Sequence, residues 1–144
     1  MKLVKQILRG KGSEALSISP DASVYDALKL MAEKNVGALL VLERGRLAGI
    51  ISERDYARKV ILKGKSSLDT PVREIMTDKV LFVRPEQTVE DCMALMTEKH
   101  IRHLPVLVGD QVIGVVSIGD LVKASIEEKD FLIRQLENYI TGGR

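Results

Sequence analysis

The sequence predicts an α/β (α+β) fold made twice over: two β-α-β-β-α units in tandem, packed face to face as a pseudo-dimer. Three observations carry this. Sliding the chain against itself by 65 positions lays residues 16–55 on 81–120 without a gap, and fourteen of those forty positions are identical. Two copies are too few for a solenoid, so they close on each other. Each copy holds one apolar helical stripe followed by two β-runs about a two-residue turn. Leu, Ile and Val supply the core, since the chain has no Trp and only 3% aromatics. Its longest apolar runs are strand-sized, so none spans a membrane.

The elements follow in order. The opening MKLVKQILRGKG is charged too soon and apolar too briefly for a signal peptide. Leu16-Ser17-Ile18 reads as a short strand, and Ser23 stands where a helix N-cap belongs. In VYDALKLMAEKN, Val24, Ala27, Leu28 and Met31 fall at i, i+3, i+4, i+7, which is one helical face. ALLVLE and RLAGIIS are strands about an Arg44-Gly45 turn, and a second helix begins at Glu53. The linker KGKSSLDTPVREIMTDK is most flexible over 63–67, with a short helix near 72–76. The second copy repeats the order with Leu81-Phe82-Val83, a cap at Thr88 and the helix VEDCMALMTEKH. HLPVLV and QVIGVVS follow about Gly109-Asp110, and a helix starts at Ile118. A tail helix over about 126–140 carries Ile126, Ile133, Leu136 and Ile140 on a stripe widened by Phe131, Leu132 and Tyr139. It either closes the chain's own core or meets a second subunit. The domains are 8–66, 72–127 and a tail, 128–144.

Composition narrows the chemistry. A net charge of +2 with interspersed signs gives no basic stripe for nucleic acid. A single cysteine, Cys92, rules out an internal disulfide and points to a reducing, cytoplasmic setting. It sits on an apolar helical face and reads as core rather than nucleophile. His100 and His103 lack companions for a metal set. Gly10-Lys11-Gly12 has neither phosphate-loop spacing. Ser52 and Ser117 have no histidine base in their own motifs, so no catalytic residues are assigned.

The duplicated GIISERD and GVVSIGD ask for more than a core pattern. Ser52 with Asp55, and Ser117 with Asp120, suit a helix start, where the hydroxyl caps and the acid meets the dipole. They equally suit a ligand. A carboxylate accepts from two vicinal ribose hydroxyls, and Ser with a helix N-terminus faces phosphate. Gly49 and Gly114 would let backbone approach that ligand. The two roles are compatible.

This order of elements, the paired Gly-x-x-Ser-x-x-Asp and the stretch IMTDKVLFVRPEQTVEDCMALMTEKHIRHLPVL resemble the cystathionine-β-synthase (CBS) domain, paired as a Bateman module, over roughly residues 8–126. The resemblance implies repeats packed through their sheets, modules paired into a flat disk, and clefts for AMP, ATP, NAD or S-adenosylmethionine. It implies that Leu16, Ser17, Ile18, Val36, Gly37, Ala38 and Val115 line the Asp120 cleft. Val80, Leu81, Phe82 and Ile50 would line the Asp55 cleft. These residues also read simply as core strand ends. Arg102 and His103, where copy one has Gly37 and Ala38, would reach ligand phosphates, with Arg54 a second candidate. Gly119 stands opposite Arg54 in the repeat, so the clefts are not equivalent. Arg58 and Lys59 read as surface charge. The expected protein is a stand-alone cytoplasmic homodimer that binds adenine nucleotides, AMP or NAD(H) before ATP or ADP, and signals to an effector protein. It has no catalytic cofactor, nucleic acid or membrane partner. A ligand-free dimerisation module and an enzyme using the same clefts are the alternatives.

Overall fold

The computed structural model describes residues 2–11 and 16–140, so Gly12 and the end of the tail, 141–144, lie outside the described residues. Helix α1 (Val4–Lys11) precedes the first copy. There β1 (Ser17–Ile18), α2 (Val24–Lys34), β2 (Ala38–Glu43), β3 (Arg46–Ser52) and α3 (Glu53–Tyr56) follow, and α3 runs into a π-helical turn, Ala57–Ile61. Helix α4 (Val72–Ile75) leads to the second copy: α5 (Val89–Lys99), β4 (His103–Val108), β5 (Gln111–Ser117) and α6 (Ile118–Ile140). β3 packs against β5, so the copies meet through their sheets.

Local chemistry sets most of these boundaries. The Ser23 hydroxyl accepts from the Asp26 N–H at 3.0 Å, and the Thr88 hydroxyl from the Asp91 N–H at 3.1 Å. Both helices then stop on a left-handed residue, Asn35 (φ 54°) and His100 (φ 55°); Asn and His are among the residue types that tolerate this region. Arg44 and Gly45 both have positive φ, as a two-residue hairpin turn of right-twisting strands requires. Each hairpin carries a bulge. The register steps from Val41↔Gly49 to Leu42↔Leu47, leaving Ala48 over, and likewise from Val106↔Gly114 to Leu107↔Val112.

The copies differ at their first strand. In copy one β1 lies parallel on β2, and the Leu40 N–H donates to Leu16 O at 3.1 Å. Copy two has Pro105 where copy one has Leu40, and proline has no N–H to give. The expected strand 81–83 shrinks to a single bridge, Val83↔Val106, with Val83 N–H donating to Pro105 O at 2.9 Å. Leu81 and Phe82 are left exposed.

Each copy is finished by the segment ahead of the other. The Val4 and Lys5 N–H groups donate to Gln87 O and Pro85 O of copy two, while Val72 and Arg73 donate to Ala22 O and Pro20 O of copy one. Val4 and Leu8 accordingly belong to the second core, with Val89, Cys92, Met96, Leu104, Val116 and Leu121. Val72 and Ile75 belong to the first, with Val24, Ala27, Met31, Leu39 and Ile51. Burial, aided by the Asp91 charge, pushes the Cys92 thiol up to about 11, leaving little reactive thiolate at neutral pH.

This arrangement corrects the reading of the repeated glycines. Gly49 and Gly114 are buried under that packing rather than open to a ligand. A Cβ on Gly49 would lie 2.7 Å from Thr77 O and 2.9 Å from Met76 Sδ; on Gly114 it would lie 2.7 Å from Leu8 Cδ2.

The tail is not a separate helix beginning near 126. It continues α6 without a break, and only Leu121 and Ala124 of α6 are buried. Residues 129–140 are exposed, Leu136 at 62% and Tyr139 at 85%, so the stripe does not close the chain's own core. No helix among the described residues is long and apolar enough to cross a membrane.

Candidate functional site

Both Ser-x-x-Asp motifs form reciprocal caps at the end of the second hairpin strand, β3 or β5. In the first, the Ser52 hydroxyl accepts from the Asp55 N–H at 3.2 Å, and Asp55 Oδ2 accepts from the Ser52 N–H at 3.0 Å. In the second, the distances are 3.1 Å to the Ser117 hydroxyl and 2.8 Å to Asp120 Oδ2. The capping role read from sequence is therefore present in both copies.

Asp55 is more heavily engaged than that. The Ser52 O–H also donates to Oδ2 at 3.0 Å, while Oδ1 meets Lys59 Nζ at 3.1 Å and the Thr77 O–H at 3.4 Å. A carboxylate has about four lone-pair sites, so its acceptor capacity is filled. Lys59 donates as well to Ile75 O at 2.9 Å, tying the motif to α4. Lys59 is thus a half-buried partner of the candidate site and not plain surface charge. Copy two has Ala124 in its place.

Two clefts adjoin between the copies. One, about 330 Å³, is walled by Leu16 and Leu40 on one side and Val115 and Ser117 on the other, with Val36 and Asn35 at its edge. The second, about 440 Å³, has Ser52, Arg54 and Asp55 facing Arg102, with Thr77 and His100 beside them. Gly37, Ala38, Ile50 and His103 line both, so the clefts form a continuous trough.

Of the expected residues, the structure gathers Val36, Gly37, Ala38, Val115, Ser117 and His103 at the first cleft, and Ser52, Arg54, Asp55, Arg102 and His103 at the second. Ser17 and Ile18 line neither. They are held in the ladder opposite Leu40 and Val41, and Ile18 packs on the first core. Val80, Leu81 and Phe82 also fall outside, because Pro105 denies them a strand; Phe82 lies instead beneath the Arg84 guanidinium, 4.9 Å from its ring centre. Asp120 accepts from the Ser117 N–H, and its motif reaches the first cleft through Ser117. The sequence reading missed Asn35, Glu53, Thr77 and His100. Asn35 and His100 were legible as the polar residues that end each first helix before the hairpin.

Comparison with known proteins agrees with this arrangement. The family model described as "CBS domain" matches residues 4–62 and 72–127. A CBS domain-containing protein of Arabidopsis thaliana, CBSX3, named as mitochondrial, is 45% identical over 97% of this chain and 72% of its own length. A solved CBS-domain protein from Burkholderia ambifaria, whose name places it provisionally in signal transduction, is 53% identical, with a TM-score of 0.84 over 88% of this chain and 95% of its own. The CBS domain pair of protein MJ0100, solved with 5′-methylthioadenosine and S-adenosyl-L-methionine, is 25% identical, with a TM-score of 0.79 over 89% of this chain and 98% of its own. With two matched repeats, sheets packed face to face and a Ser-x-x-Asp cap beside each cleft, the chain belongs to the CBS-domain family as a tandem pair.

Proposed function

We propose that this chain is a non-catalytic regulatory module that binds adenine nucleotides in its two clefts and passes their occupancy to a partner protein. The observation that carries this is the pair of adjoining clefts, one beside each Ser-x-x-Asp motif, with aliphatic walls and a few convergent polar groups. The adenosine ligands of the MJ0100 pair support the same chemistry. Ile50, Val36 and Val115 cover an adenine face, strand-end backbone reads its edge, and Asp55 or Asp120 takes the ribose. AMP or NAD(H) is favoured, since the few cations suit one or two phosphates better than three. Ligand bound between the copies stabilises one packing of β3 on β5, and differential affinity supplies the coupling. One buried, protonated thiol fits a reducing compartment such as the cytoplasm.

Thermal-shift measurement with AMP, ADP, ATP, NAD, S-adenosylmethionine and adenosine tests the reading. A ligand at a hundredfold excess over its Kd stabilises by about 2.7 kcal/mol, a rise of roughly 5–10 °C for a chain of this size. If all six leave the melting temperature unmoved, the clefts are structural. Turnover of any of them on prolonged incubation would make the protein an enzyme.

The exposed stripe of α6 favours a homodimer, whether or not ligand binds. Sedimentation at micromolar concentration should give about twice the 16.0 kDa of one chain. Truncation after Lys123 should weaken that species if α6 crosses between subunits. A monomer from the full chain would remove the dimer.

A further inference from the structure

The outer side of α6 carries an uncovered surface with a regular period. Val122, Ile126, Lys129, Ile133, Leu136 and Ile140 recur at alternating spacings of four and three, and all of them are exposed. That period is the seam of a coiled coil: Ile126, Ile133 and Ile140 hold one core position of the heptad, and Val122, Lys129 and Leu136 the other. The residues that α6 buries in its own module are Leu121 and Ala124, so the seam runs along another side of the helix. At its root the seam enters a groove of about 440 Å³ lined by Ile118, Gly119, Val122, Lys123, Ile126 and Glu127. Helices draw most of their stability from packing an apolar face. Residues 129–140 present such a face with nothing of the described chain upon it.

We propose that the occupant is a second copy of this chain, with residues 122–140 of two α6 helices paired antiparallel, so that the end of each lies in the groove at the root of the other. This rests on the homodimer reading and deepens it. Laid antiparallel about residue 131, the seam is complementary to itself. Val122 of one chain meets Ile140 of the other, Ile126 meets Leu136, and Lys129 meets Ile133. The charges choose this direction. A parallel pair would lay Lys129 on Lys129 inside an apolar seam, and its flanking positions would bring no opposite charges together. In the antiparallel pair the Lys129 stem lies along Ile133 and its ammonium reaches Asp130 of the other chain. Lys123, on the rim of the groove, meets Glu137 of the other chain at both ends. Asp130 faces Asp130 at the axis, the one like-charge contact, and the two Lys129 ammoniums flank it. The contact is isologous and closes at two chains.

Cysteine cross-linking of the full chain reads the direction. Cys92 is buried, with its thiol pushed up to about 11, and stays out of the reaction. Ile126→Cys/Leu136→Cys brings the new thiols into one layer only in the antiparallel pair, and mild oxidation should then give a species of twice the 16.0 kDa chain on a non-reducing gel. Ile133→Cys alone faces Lys129 and should stay single, whereas in a parallel pair it would face itself and cross-link. A cross-link in Ile133→Cys with none in the double variant overturns the direction. Leu136→Glu, which alters no contact within one chain's core, should weaken the dimer about tenfold or more in sedimentation. Lys123→Glu should weaken it less, and adding Glu137→Lys should restore it. A dimer unmoved by Leu136→Glu, or free of cross-links in both cysteine variants, has its interface elsewhere and overturns the α6 pairing. A wild-type chain that sediments as a monomer is a different result, and overturns the homodimer reading itself.

Discussion

Gly49→Ala is expected to lower the melting temperature by roughly 4–11 °C, the equivalent of about 2–3 kcal/mol for an overpacked site in a chain of this size. The added Cβ would meet Thr77 O at 2.7 Å, and that oxygen belongs to backbone doubly bonded to Ile50, at 3.0 and 2.8 Å. Backbone pinned on both sides cannot retreat without breaking the bridge. Gly114→Ala meets the tip of the Leu8 side chain, not backbone, at a similar distance. A rotamer change can clear it, so about 1 kcal/mol or less is expected there. Urea unfolding of the two variants reads the difference. Equal and negligible losses would mean that the recurring glycine has nothing to do with the segments packed over it.

The second large effect concerns the paired aspartates. Asp55→Ala and Asp120→Ala should each lower affinity at the neighbouring cleft by about tenfold to a hundredfold, since a charge-assisted contact contributes about 1.5–3 kcal/mol. The double variant should bind nothing measurable. Asp55 belongs at the lower end, because a ribose must displace the Thr77 and Ser52 hydroxyls from a filled carboxylate. Stability should divide the other way. Losing either cap costs about 1 kcal/mol, but Asp55→Ala also strands Lys59, which is anchored to Ile75 O. Asp55→Ala should therefore be the less stable of the two. Calorimetric titration beside urea unfolding separates the effects, and wild-type affinity in both variants would reduce the motif to a cap.

What the sequence disclosed was whatever short-range chemistry decides. The caps at Ser23, Thr88 and Ser52, the Arg44-Gly45 turn and the helical stripes need only neighbours a few residues away, and each lies where its pattern put it. The family and the pairing of repeats were legible because the same local pattern returned in register. The missing strand at 81–83 was legible too, in Pro105, once copy one is taken as the template for which N–H must donate. Other features were not. Nothing in residues 2–8 says that they complete the distant copy rather than the near one, since that choice depends on the shape of a core formed by the rest of the chain. Lys59 carries no local sign of its partner on α4. The π-helical turn at Ala57–Ile61 sets copy one apart from the regular α6 of copy two, and the repeat alone predicts no such difference.

The exchange of upstream segments bears on how the molecule comes into being. Leu3 pairs with Thr88, and Val89 donates to Lys2, across the whole of the first copy and the linker. On a ribosome the first copy can gather its wall from α4 soon after it emerges, but α1 must wait for the second copy to be made. Its apolar face, Val4 and Leu8, stays uncovered in the meantime, the kind of transient exposure that invites misassociation. Closing so long a loop also slows the search for the native state. Once closed, neither half retains a complete core without a segment that the other half's arrangement holds in place. The tandem pair is consequently a single inheritable part, duplicated in sequence but no longer divisible in the chain.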